Sequence, residues 1–314
     1  MNATTNKTLS DLIAGLTIHA PLRHRNLALF PLTGAGAPGA DYLVLDEALE
    51  RGLAHITEVS EAGSVPELAF ENDAERDVLL LDGEELVGAR QNRILNISIL
   101  VGAKQKLVVP VSCVERGRWS YRSREFGSAG RKLYAKARAA KMAQVSRSME
   151  SHAGRMSDQS FLWQDLAEKR VRMSVDSHTE AMGDLYEARE DALAGYGQAF
   201  KPVPGQVGAV FAIDGQVRGV EILDKPDTFT RFLAKLIGSY AMDAIDTEQP
   251  VERAPSLEQA GAFLARIGAT TEKSFPALGK GEDLRLEGES LAGGALLAEG
   301  RVVHLAAFAL DEAG

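Results

Sequence analysis

The chain contains 314 residues, of which 45% are apolar, and carries a net charge of −9, so it can bury a full core and form two closely packed lobes. Its single cysteine, Cys113, excludes an internal disulfide framework and a cysteine-based zinc site, and it favours a reducing, cytoplasmic setting. The N-terminal stretch lacks the basic head and apolar run of a secretory signal, and no window approaches about eighteen uncharged apolar residues, so no membrane insertion is predicted.

The N-terminal part of the chain reads mainly as β-strands. Short β-prone runs separated by Gly, Pro and acidic breaks predict strands at 27–32, 42–45, 54–59 and 77–81. Two longer strands are predicted at 94–101 and 106–114, with the sequence GAKQ as a hairpin turn between them. Pro110 cannot donate to a sheet ladder, so it predicts an edge position or a bulge.

From Ser128 the pattern becomes helical. The helix predicted over 128–149 has Ser128 as its cap and Arg and Lys opposite an apolar stripe, which consists of Leu133, Ala137, Ala140 and Val145. Further helices are predicted within 158–195, at 228–245 and at 256–268, with a linker rich in Gly and Pro at 195–206. Strands are predicted again within 207–223 and 293–310.

Three segments share one form, which is an apolar strand, an acidic residue followed by Gly, and a second strand. They span 77–88, 208–219 and 294–305. The acidic-Gly pair supplies the positive φ angles of a tight hairpin, so each segment is predicted to be a hairpin and the recurrence has a local cause. An internal duplication is the alternative.

Taken in chain order, these elements predict an α+β fold. A β-rich N-terminal lobe spans 1–125, and a central helical segment spans 126–200. An α/β lobe at 201–314 is expected to pack on the first lobe.

Positive charge is concentrated in the middle of the chain. Residues 90–147 carry fourteen Arg and Lys against two acids, a local balance of +12, so all other residues sum to −21. A stretch rich in Arg favours planar, bidentate recognition of carboxylate or phosphate. The alternative is that these cations lie on the solvated flanks of a strand and a helix. Residues 82–125 are the predicted working surface.

The densest polar group is DGEELVGARQNRILN, at 82–96. Amide and guanidinium groups at Gln91, Asn92 and Arg93 offer directional donors for a ribose, a base edge or a phosphate. Such groups are costly to bury unless each is paired. The functional interpretation is a polar site at the mouth of a sheet, and the structural alternative is a hairpin turn with a solvated strand entry.

A second polar group is PVSCVERGRW, at 110–119. Nearby arginines could stabilise a Cys113 thiolate as a nucleophile, but its place in an apolar strand favours a small buried core residue. Glu115 alternates with Cys113 and therefore shares its strand face. If the strands are neighbours, Glu115 with Glu84 or Glu85 forms a candidate acid–base or divalent-metal pair.

Several common functions lose their main support. The chain has no Walker-type phosphate loop, no GxGxxG in a βαβ context, no HExxH and no GxSxG. Cations interleave with aromatic residues at 118–126, as in single-strand nucleic-acid binders. The acidic net charge and the absence of a module signature argue against that interpretation.

The run 82–119 resembles a prokaryotic domain family of unknown function, most clearly in GEEL, QNR, PVSCVE and GRW. The name of that family records genomic association with ADP-ribosylglycohydrolases and with rhodanese/phosphatase-superfamily proteins. The resemblance implies a place in ADP-ribose, NAD or nucleotide-derivative metabolism, and it implies no particular reaction.

The leading hypothesis is recognition, with hydrolysis or transfer as a further step, of an ADP-ribose-like or other phosphorylated nucleotide ligand. Arginines would bind anionic groups, amides would orient the ligand, and carboxyl groups would do any acid–base work. The predicted ligand-binding residues are Gln91, Asn92, Arg93, Arg116, Arg118 and Trp119, and the predicted catalytic residues are Glu84 and Glu115, with no protein metal site.

The sequence leaves open whether the protein is an enzyme and whether it uses a divalent metal cofactor. The alternatives are a non-catalytic scaffold that docks a protein partner and a single-stranded nucleic-acid binder. Convergence of Glu84, Gln91, Arg93 and Glu115 in one concave site would favour a small ligand, and a flat, exposed arrangement would favour docking.

Overall fold

The computed structural model describes residues 3–34, 41–60, 63–288 and 290–310, with side chains described from residue 9 onward. The helices are α1 (Ala3–Ala14), α2 (Leu45–Glu50), α3 (Ala135–Glu150), α4 (Gln159–Arg172), α5 (Met182–Glu187), α6 (Glu190–Ala199), α7 (Pro226–Ile245) and α8 (Leu257–Gly268). The strands are β1 (Leu16–Ile18), β2 (Leu22–His24), β3 (Leu27–Gly34), β4 (Tyr42–Val44), β5 (Ala54–Glu58), β6 (Glu67–Asn72), β7 (Asp77–Leu80), β8 (Glu84–Gly88), β9 (Arg93–Leu95), β10 (Ile99–Val101), β11 (Lys106–Cys113), β12 (Phe126–Lys132), β13 (Gln206–Ile213), β14 (Gln216–Leu223), β15 (Thr271–Pro276), β16 (Glu282–Gly288), β17 (Leu291–Ala298) and β18 (Arg301–Ala309).

Nine strands form a large antiparallel sheet. Eight follow the order β1-β3-β13-β14-β18-β17-β16-β15, and β2 also pairs with β3. One face of this sheet packs on α3, α6 and α7, in a core that includes Phe211, Met142 and Phe232. The other face packs on α1 and α8, where Leu9 and Phe263 are buried. The sheet is therefore covered on both faces.

Two smaller sheets form the N-terminal part. A six-stranded antiparallel sheet has the order β12-β8-β9-β11-β6-β5, and a three-stranded sheet has the order β10-β7-β4, with β4 parallel to β7. Both share a core with α2 that includes Ala48, Phe70 and Leu80. The predicted α+β class is confirmed, because strands dominate both ends of the chain and helices cluster in its middle. No described helix is both long and apolar enough to cross a membrane.

Two of the three predicted acidic-Gly hairpins are present. β13 and β14 meet at Asp214 and Gly215, whose φ angles are +54° and +76°. β17 and β18 meet at Glu299 and Gly300, whose φ angles are +54° and +74°. Positive φ at both turn residues is the geometry that a two-residue hairpin requires.

The hairpin predicted at 77–88 is wrong. β7 lies in the three-stranded sheet and β8 in the six-stranded sheet, so the two strands do not pair. The Asp82 carboxylate between them accepts hydrogen bonds from Arg138 of α3 at 2.9 and 3.2 Å. This buried ion pair holds the connection in the interior, where the chain changes sheets.

The predicted strand at 94–101 is wrong in its extent, and the GAKQ hairpin is wrong in its pairing. The chain leaves β9 at Leu95 and enters β10 at Ile99, and these strands belong to different sheets. Lys141 of α3 donates to the carbonyl oxygens of Leu95 and Asn96 at 2.8 and 2.9 Å. Lys141 thus binds the chain where it leaves the ladder, and the Leu95 carbonyl also accepts from the Gly83 N–H at 2.8 Å. β10 pairs with β7 rather than with β11.

The helix predicted from Ser128 begins later in the chain. β12 occupies that stretch and α3 starts at Ala135, so Ser128 is not its cap. Arg138 and Lys141 were expected on a solvated face, but they are 0% and 2% exposed. Both lie within ion-pair distance of the buried Asp82 carboxylate, which accounts for their position.

Candidate functional site

The polar motifs of the sequence meet at one end of the six-stranded sheet. Antiparallel register places Arg93 of β9 opposite Leu86 of β8 and opposite Cys113 of β11. The loop after β11, which carries GRW, folds back on β8, because the Arg122 N–H donates to the Ala89 carbonyl at 2.9 Å. The GEEL, QNR and PVSCVE segments are therefore neighbours in space.

Arg118 organises this region through six hydrogen bonds. Its Nε and Nη2 donate to the two carboxylate oxygens of Glu115 at 2.9 and 2.7 Å, and Nη2 also donates to Asn92 Oδ1 at 3.1 Å. A bidentate, charge-assisted pair is strong and directional. The guanidinium is committed to holding Glu115 and the loop in place. Its remaining bonds reach the backbone carbonyls of Gly88, Ala89 and Ser120.

Glu115 is held as a carboxylate. Its Oε1 accepts from Arg118 Nε, and its Oε2 accepts from Arg118 Nη2 and from the Asn92 N–H at 3.0 Å. Burial raises the pKa of Glu115, but the hydrogen bonds from Arg118 and Asn92 outweigh burial, so the pKa lies below its ordinary value. Glu115 is therefore ionised at neutral pH, with donors on both oxygens.

Glu85 of β8 forms a second ion pair beside the first. Its side chain is buried, Oε2 accepts from Arg131 Nε at 2.5 Å, and Oε1 accepts from Asn92 Nδ2 at 3.4 Å. Burial raises the pKa of Glu85 more than Arg131 and Asn92 lower it. Asn92 thus connects the two carboxylates, through its backbone N–H to Glu115 and through its side-chain amide to Glu85.

A cavity of about 310 Å³ lies beside these ion pairs, and we call it the motif pocket. Asn92 and Glu115 line it together with Arg131 and the exposed Arg122. A volume of this order is at the lower end of the range for small-ligand sites. The pocket therefore presents cations and carboxylates to one small volume. Its other lining residues are Val87, Ala129, Thr179, Ala181, Gly183, Asp184 and Glu187.

Gly183 makes room for Arg131 in the wall of the motif pocket. A Cβ atom at this position would lie 2.4 Å from Arg131 Nη2, which is closer than a carbon atom can approach. The same wall is tied to the PVSCV strand, because the Met182 N–H donates to the Val114 carbonyl at 2.8 Å. The Nη2 end of Arg131 therefore borders the cavity beside Gly183.

Arg93 and Gln91 form a buried pair next to the motif pocket residues. Arg93 is 0% exposed, and its Nη1 donates to Gln91 Oε1 at 3.0 Å and to the Asn92 carbonyl at 3.4 Å. Its Nε and Nη2 have no hydrogen-bond partner among the described residues. The Trp119 ring centroid lies 5.8 Å from Arg93 Cζ, a cation–π contact. Burial lowers the pKa of Arg93.

Cys113 is buried in its strand, as predicted. Its side chain is 0% exposed, and Sγ donates to Gln91 Oε1 at 3.2 Å. Burial raises the pKa of the thiol, which disfavours the nucleophilic thiolate. The prediction that Cys113 has a structural role and is not a catalytic nucleophile remains a prediction.

Arg116 and Trp119 lie at the surface. Trp119 is 46% exposed and Tyr121 is 51% exposed, and Arg90 Cζ lies 5.5 and 4.4 Å from their ring centroids. Arg116 is exposed, with its Cζ 5.4 Å from the Trp163 ring centroid. We use the name Arg–aromatic surface for the group formed by Arg90, Arg116, Trp119, Tyr121 and Trp163.

Glu84 is separated from the other predicted site residues. It points to the opposite face of β8 from Glu85, where its carboxylate accepts from Lys235 Nζ at 2.6 Å and from the Leu81 N–H at 2.8 Å. Its side chain is 0% exposed. The structure therefore does not bring Glu84 and Glu115 together as a pair, and the catalytic role of each stays a prediction.

The basic run combines internal ion pairs with an exposed surface. Among its fourteen cations, five are buried, namely Arg93, Arg118, Lys132, Arg138 and Lys141. Seven are exposed, namely Lys104, Lys106, Arg116, Arg122, Arg124, Lys136 and Arg147. The solvated alternative therefore holds for the exposed cations, and ligand recognition by the run stays a prediction.

Only Asn92 and Glu115 of the eleven residues that line the motif pocket had been predicted as site residues, and those not predicted include Arg122, Arg131 and Thr179. The two arginines belong to the basic run, which was a usable signal. Thr179 lies in the loop between α4 and α5, and no sequence signal pointed to it.

Within the described part of the chain, no three His, Cys, Asp or Glu side chains are grouped to hold a metal ion.

The model of one protein family matches this chain. That family is the ARPP-1 domain, described as the ARG and Rhodanese-Phosphatase-superfamily-associated Protein domain, and the match covers residues 15–308. It includes the run 82–119 and extends far beyond it, so the resemblance noted in the sequence is confirmed. Comparison with curated proteins and with solved structures gives no match.

Proposed function

The chain belongs to the ARG and Rhodanese-Phosphatase-superfamily-associated Protein domain family, and on that premise we propose that its motif pocket recognises a phosphorylated nucleotide derivative of the ADP-ribose type. The observation that carries the proposal is the lining of one small cavity by two arginines together with Asn92 and Glu115 of the family-like motifs. The association that the family name records with ADP-ribosylglycohydrolases is consistent with this class of ligand.

The chemistry of the lining matches the two polar parts of such a ligand. Guanidinium groups bind phosphate through paired N–H donors, and Arg122 and Arg131 supply them. Ribose hydroxyls bond carboxylates and hydroxyls, and Glu115 and Thr179 supply those at the same cavity. Arg118 acts as a positioning residue, because its bonds to Glu115 and Asn92 fix the pocket lining.

The proposal covers recognition, and catalysis stays a prediction. A general acid or base must reach the proton that it transfers, but both Glu115 oxygens already accept hydrogen bonds inside the protein. Glu84 is bonded to Lys235 away from the pocket. Hydrolysis or transfer through Glu115 or Glu84 would therefore require that carboxylate to exchange an internal donor for the substrate.

Isothermal titration with ADP-ribose, ADP, ribose phosphate and adenosine tests the proposal. We expect saturable binding of the three phosphorylated compounds and much weaker binding of adenosine. Arg122→Gln should weaken ADP-ribose by about tenfold or more, because a hydrogen bond to a charged group contributes roughly 1.5–3 kcal/mol. Arg124→Gln is the matched control, since Arg124 is exposed two positions away and does not line the pocket.

Two outcomes would contradict the proposal. Folded wild-type protein could bind none of the four compounds, or it could bind adenosine as tightly as ADP-ribose. The first result would exclude nucleotide derivatives as the ligand class. The second would exclude recognition of the ligand phosphate by the arginines.

A second candidate function is the docking of a protein partner on the Arg–aromatic surface. Trp, Tyr and Arg dominate the energetics of protein interfaces, and Trp119 and Tyr121 are about half exposed beside Arg90. Under this function Trp119→Ala would abolish co-purification of a partner while leaving ADP-ribose affinity unchanged. Loss of nucleotide binding in that variant would instead assign Trp119 to the ligand site.

A further inference from the structure

The six-stranded sheet curls so that its two edges meet. Thr57 of β5 forms a β-bridge with Glu125, the residue before β12. The face that is turned inward carries buried apolar side chains such as Phe70 and Leu95. The end of this sheet beside the loop after β11 therefore has the form of a barrel mouth, which is a common place for a ligand site.

Arg93 lies on the inward face at this barrel mouth. Residues directly opposite each other in an antiparallel ladder share a face, and Arg93 lies opposite Leu86 of the inner core and opposite Cys113. Glu85, the residue next to Leu86, faces outward, and its carboxylate bonds Arg131 of the motif pocket. Arg93 and that part of the motif pocket are therefore on opposite faces of one sheet.

No described residue bonds one edge of the Arg93 guanidinium. Nη1 donates to Gln91 and to the Asn92 carbonyl, whereas Nε and Nη2 have no partner among the described residues, although the side chain is 0% exposed. The Nε–H and Nη2–H groups are the two donors with which Arg118 holds both oxygens of Glu115. The edge that binds a carboxylate at Arg118 is thus without a described carboxylate at Arg93.

A buried cation is costly unless an anion compensates it. The Trp119 ring, whose centroid lies 5.8 Å from Arg93 Cζ, supplies a cation–π contact but leaves the N–H edge unbonded. Burial lowers the pKa of Arg93 more than the neighbouring Glu58 and Glu115 raise it, and Glu115 is held by Arg118. An anion from outside the chain would supply the partner that Arg93 lacks within the described residues.

We propose that the Nε–Nη2 edge of Arg93 binds the carboxylate of a small monocarboxylic acid, which enters when the half-exposed Trp119 ring turns away. The planar two-donor edge matches the two oxygens of a carboxylate. The negative charges of Glu58 and Glu115 disfavour a phosphate dianion at the same place. Movement of the indole opens an apolar space of ring size, so an acid with one ring fits. This site is separate from the motif pocket and does not depend on the proposed function.

Cyclohexanecarboxylate is the probe, because it carries one ring and one carboxylate and does not absorb light with tryptophan. The chain has two tryptophans, so in Trp163→Phe protein the emission comes from Trp119 alone. Titration should give saturable binding together with a change in that emission. Cyclohexanecarboxamide, the uncharged isostere, should bind about tenfold more weakly, because it cannot form the charge-assisted pair.

Arg93→Met should abolish binding of the acid. Its urea midpoint should stay level or rise, because the substitution removes a buried cation and breaks no described ion pair. Arg124→Met is the matched control at an exposed arginine of the same loop, and it should keep the affinity of the parent protein. If Arg93→Met fails to fold, Arg93→Lys keeps the charge without the two-donor edge and should bind about tenfold more weakly.

Several results would overturn the proposal. They are equal affinity for the acid and its amide, unchanged affinity in folded Arg93→Met, and binding without a change in Trp119 emission. A large fall in the urea midpoint of Arg93→Met would show that Glu58 pairs with Arg93 in solution, and it would overturn the proposal as well.

Two further ligands test the class of anion and the place of binding. Cyclohexyl phosphate should bind more weakly than the acid, and tighter binding would overturn the carboxylate assignment. ADP-ribose should not compete with the acid, because the two sites are separate. Competition between them would overturn a separate site at the barrel mouth.

Discussion

Two arginines from the same basic run hold carboxylates in different settings. Arg138, 0% exposed, bonds both oxygens of Asp82 and bonds Glu221 Oε1 at 2.5 Å. Arg118, 8% exposed, bonds both oxygens of Glu115 beside the motif pocket. The first arginine joins distant parts of the chain, and the second binds a residue three positions away.

The two arginines also differ in the volume of the cavity beside each of them. The Arg138 cluster continues from Glu221 Oε2 to His304 Nε2 at 3.1 Å and from His304 Nδ1 to Ser98 Oγ at 2.8 Å. The adjoining void of about 10 Å³ has room for one water molecule. The motif pocket has about 310 Å³. Similar ion pairs thus fix the fold at one place and shape a ligand-sized cavity at the other.

Arg138→Met should cause the largest loss of stability. It leaves Asp82 and Glu221 without their main cation in the interior, and breaking a buried pair in this way costs about 3–5 kcal/mol. Urea unfolding measures the change. The control is Arg147→Met on the same helix, where an exposed side chain should change the free energy of unfolding by no more than about 0.5 kcal/mol. Equal losses in the two variants would refute the structural role of the Arg138 cluster.

Arg118→Met should cost less stability but should also disturb the motif pocket. Glu115 keeps the Asn92 N–H and borders a cavity that water can enter, so we expect a loss of roughly 2–3 kcal/mol, below the range for a fully enclosed pair. Titration with ADP-ribose provides the second measurement, and we expect weaker binding even where the protein is folded. A folded variant with unchanged affinity would show that Arg118 does not position the pocket.

Short-range signals in the sequence predicted several elements correctly. The helices predicted within 158–195 and at 256–268 are present, and the structure shows that Asp158 caps α4 and that Ser256 caps α8. Caps and hairpin turns act over a few positions, so the residues that cause them stand together in the sequence.

The errors come from contacts between residues far apart in sequence. Asp82 bonds Arg138 across 56 positions, and Lys141 bonds Leu95 across 46. Neither contact leaves a pattern in the neighbouring sequence. The sequence therefore predicts a hairpin at 77–88 and a long strand at 94–101, at the two places where the chain passes from one sheet to another. The candidate site was partly visible, because its motifs are dense in polar residues, but the loop that brings Thr179 to the motif pocket is placed by tertiary packing.

The interior cluster should also make stability depend on pH. Burial lowers the pKa of Lys141 to about 7 and that of Lys132 to about 8. Above pH 7 the unfolded chain therefore binds more protons at Lys141 than the folded protein does, so the free energy of unfolding rises with pH. For Lys141 alone the rise is about 2 kcal/mol between pH 7 and 9, and its contribution is level below about pH 7.

Urea unfolding of wild type and Lys141→Met over that pH range measures this contribution as the difference between the two slopes. The exposed Lys104 supplies the control, because Lys104→Met should keep the wild-type slope. Parallel curves for wild type and Lys141→Met would mean that the folded protein holds Lys141 with an ordinary pKa.

Gly183→Ala should have the smallest effect on stability and a clear effect on the motif pocket. The added methyl group meets Arg131 Nη2, the far end of a flexible side chain, so the chain can adjust at a cost of about 1 kcal/mol or less. The guanidinium must nevertheless move, and the affinity for ADP-ribose should fall. Gly197→Ala on α6 is the control, since nothing lies within 4 Å of the added carbon. Unchanged affinity in Gly183→Ala would show that Arg131 does not contribute to ligand binding. Reduced affinity at near wild-type stability would show that Arg131 serves the pocket, in contrast to Arg138, which stabilises the fold.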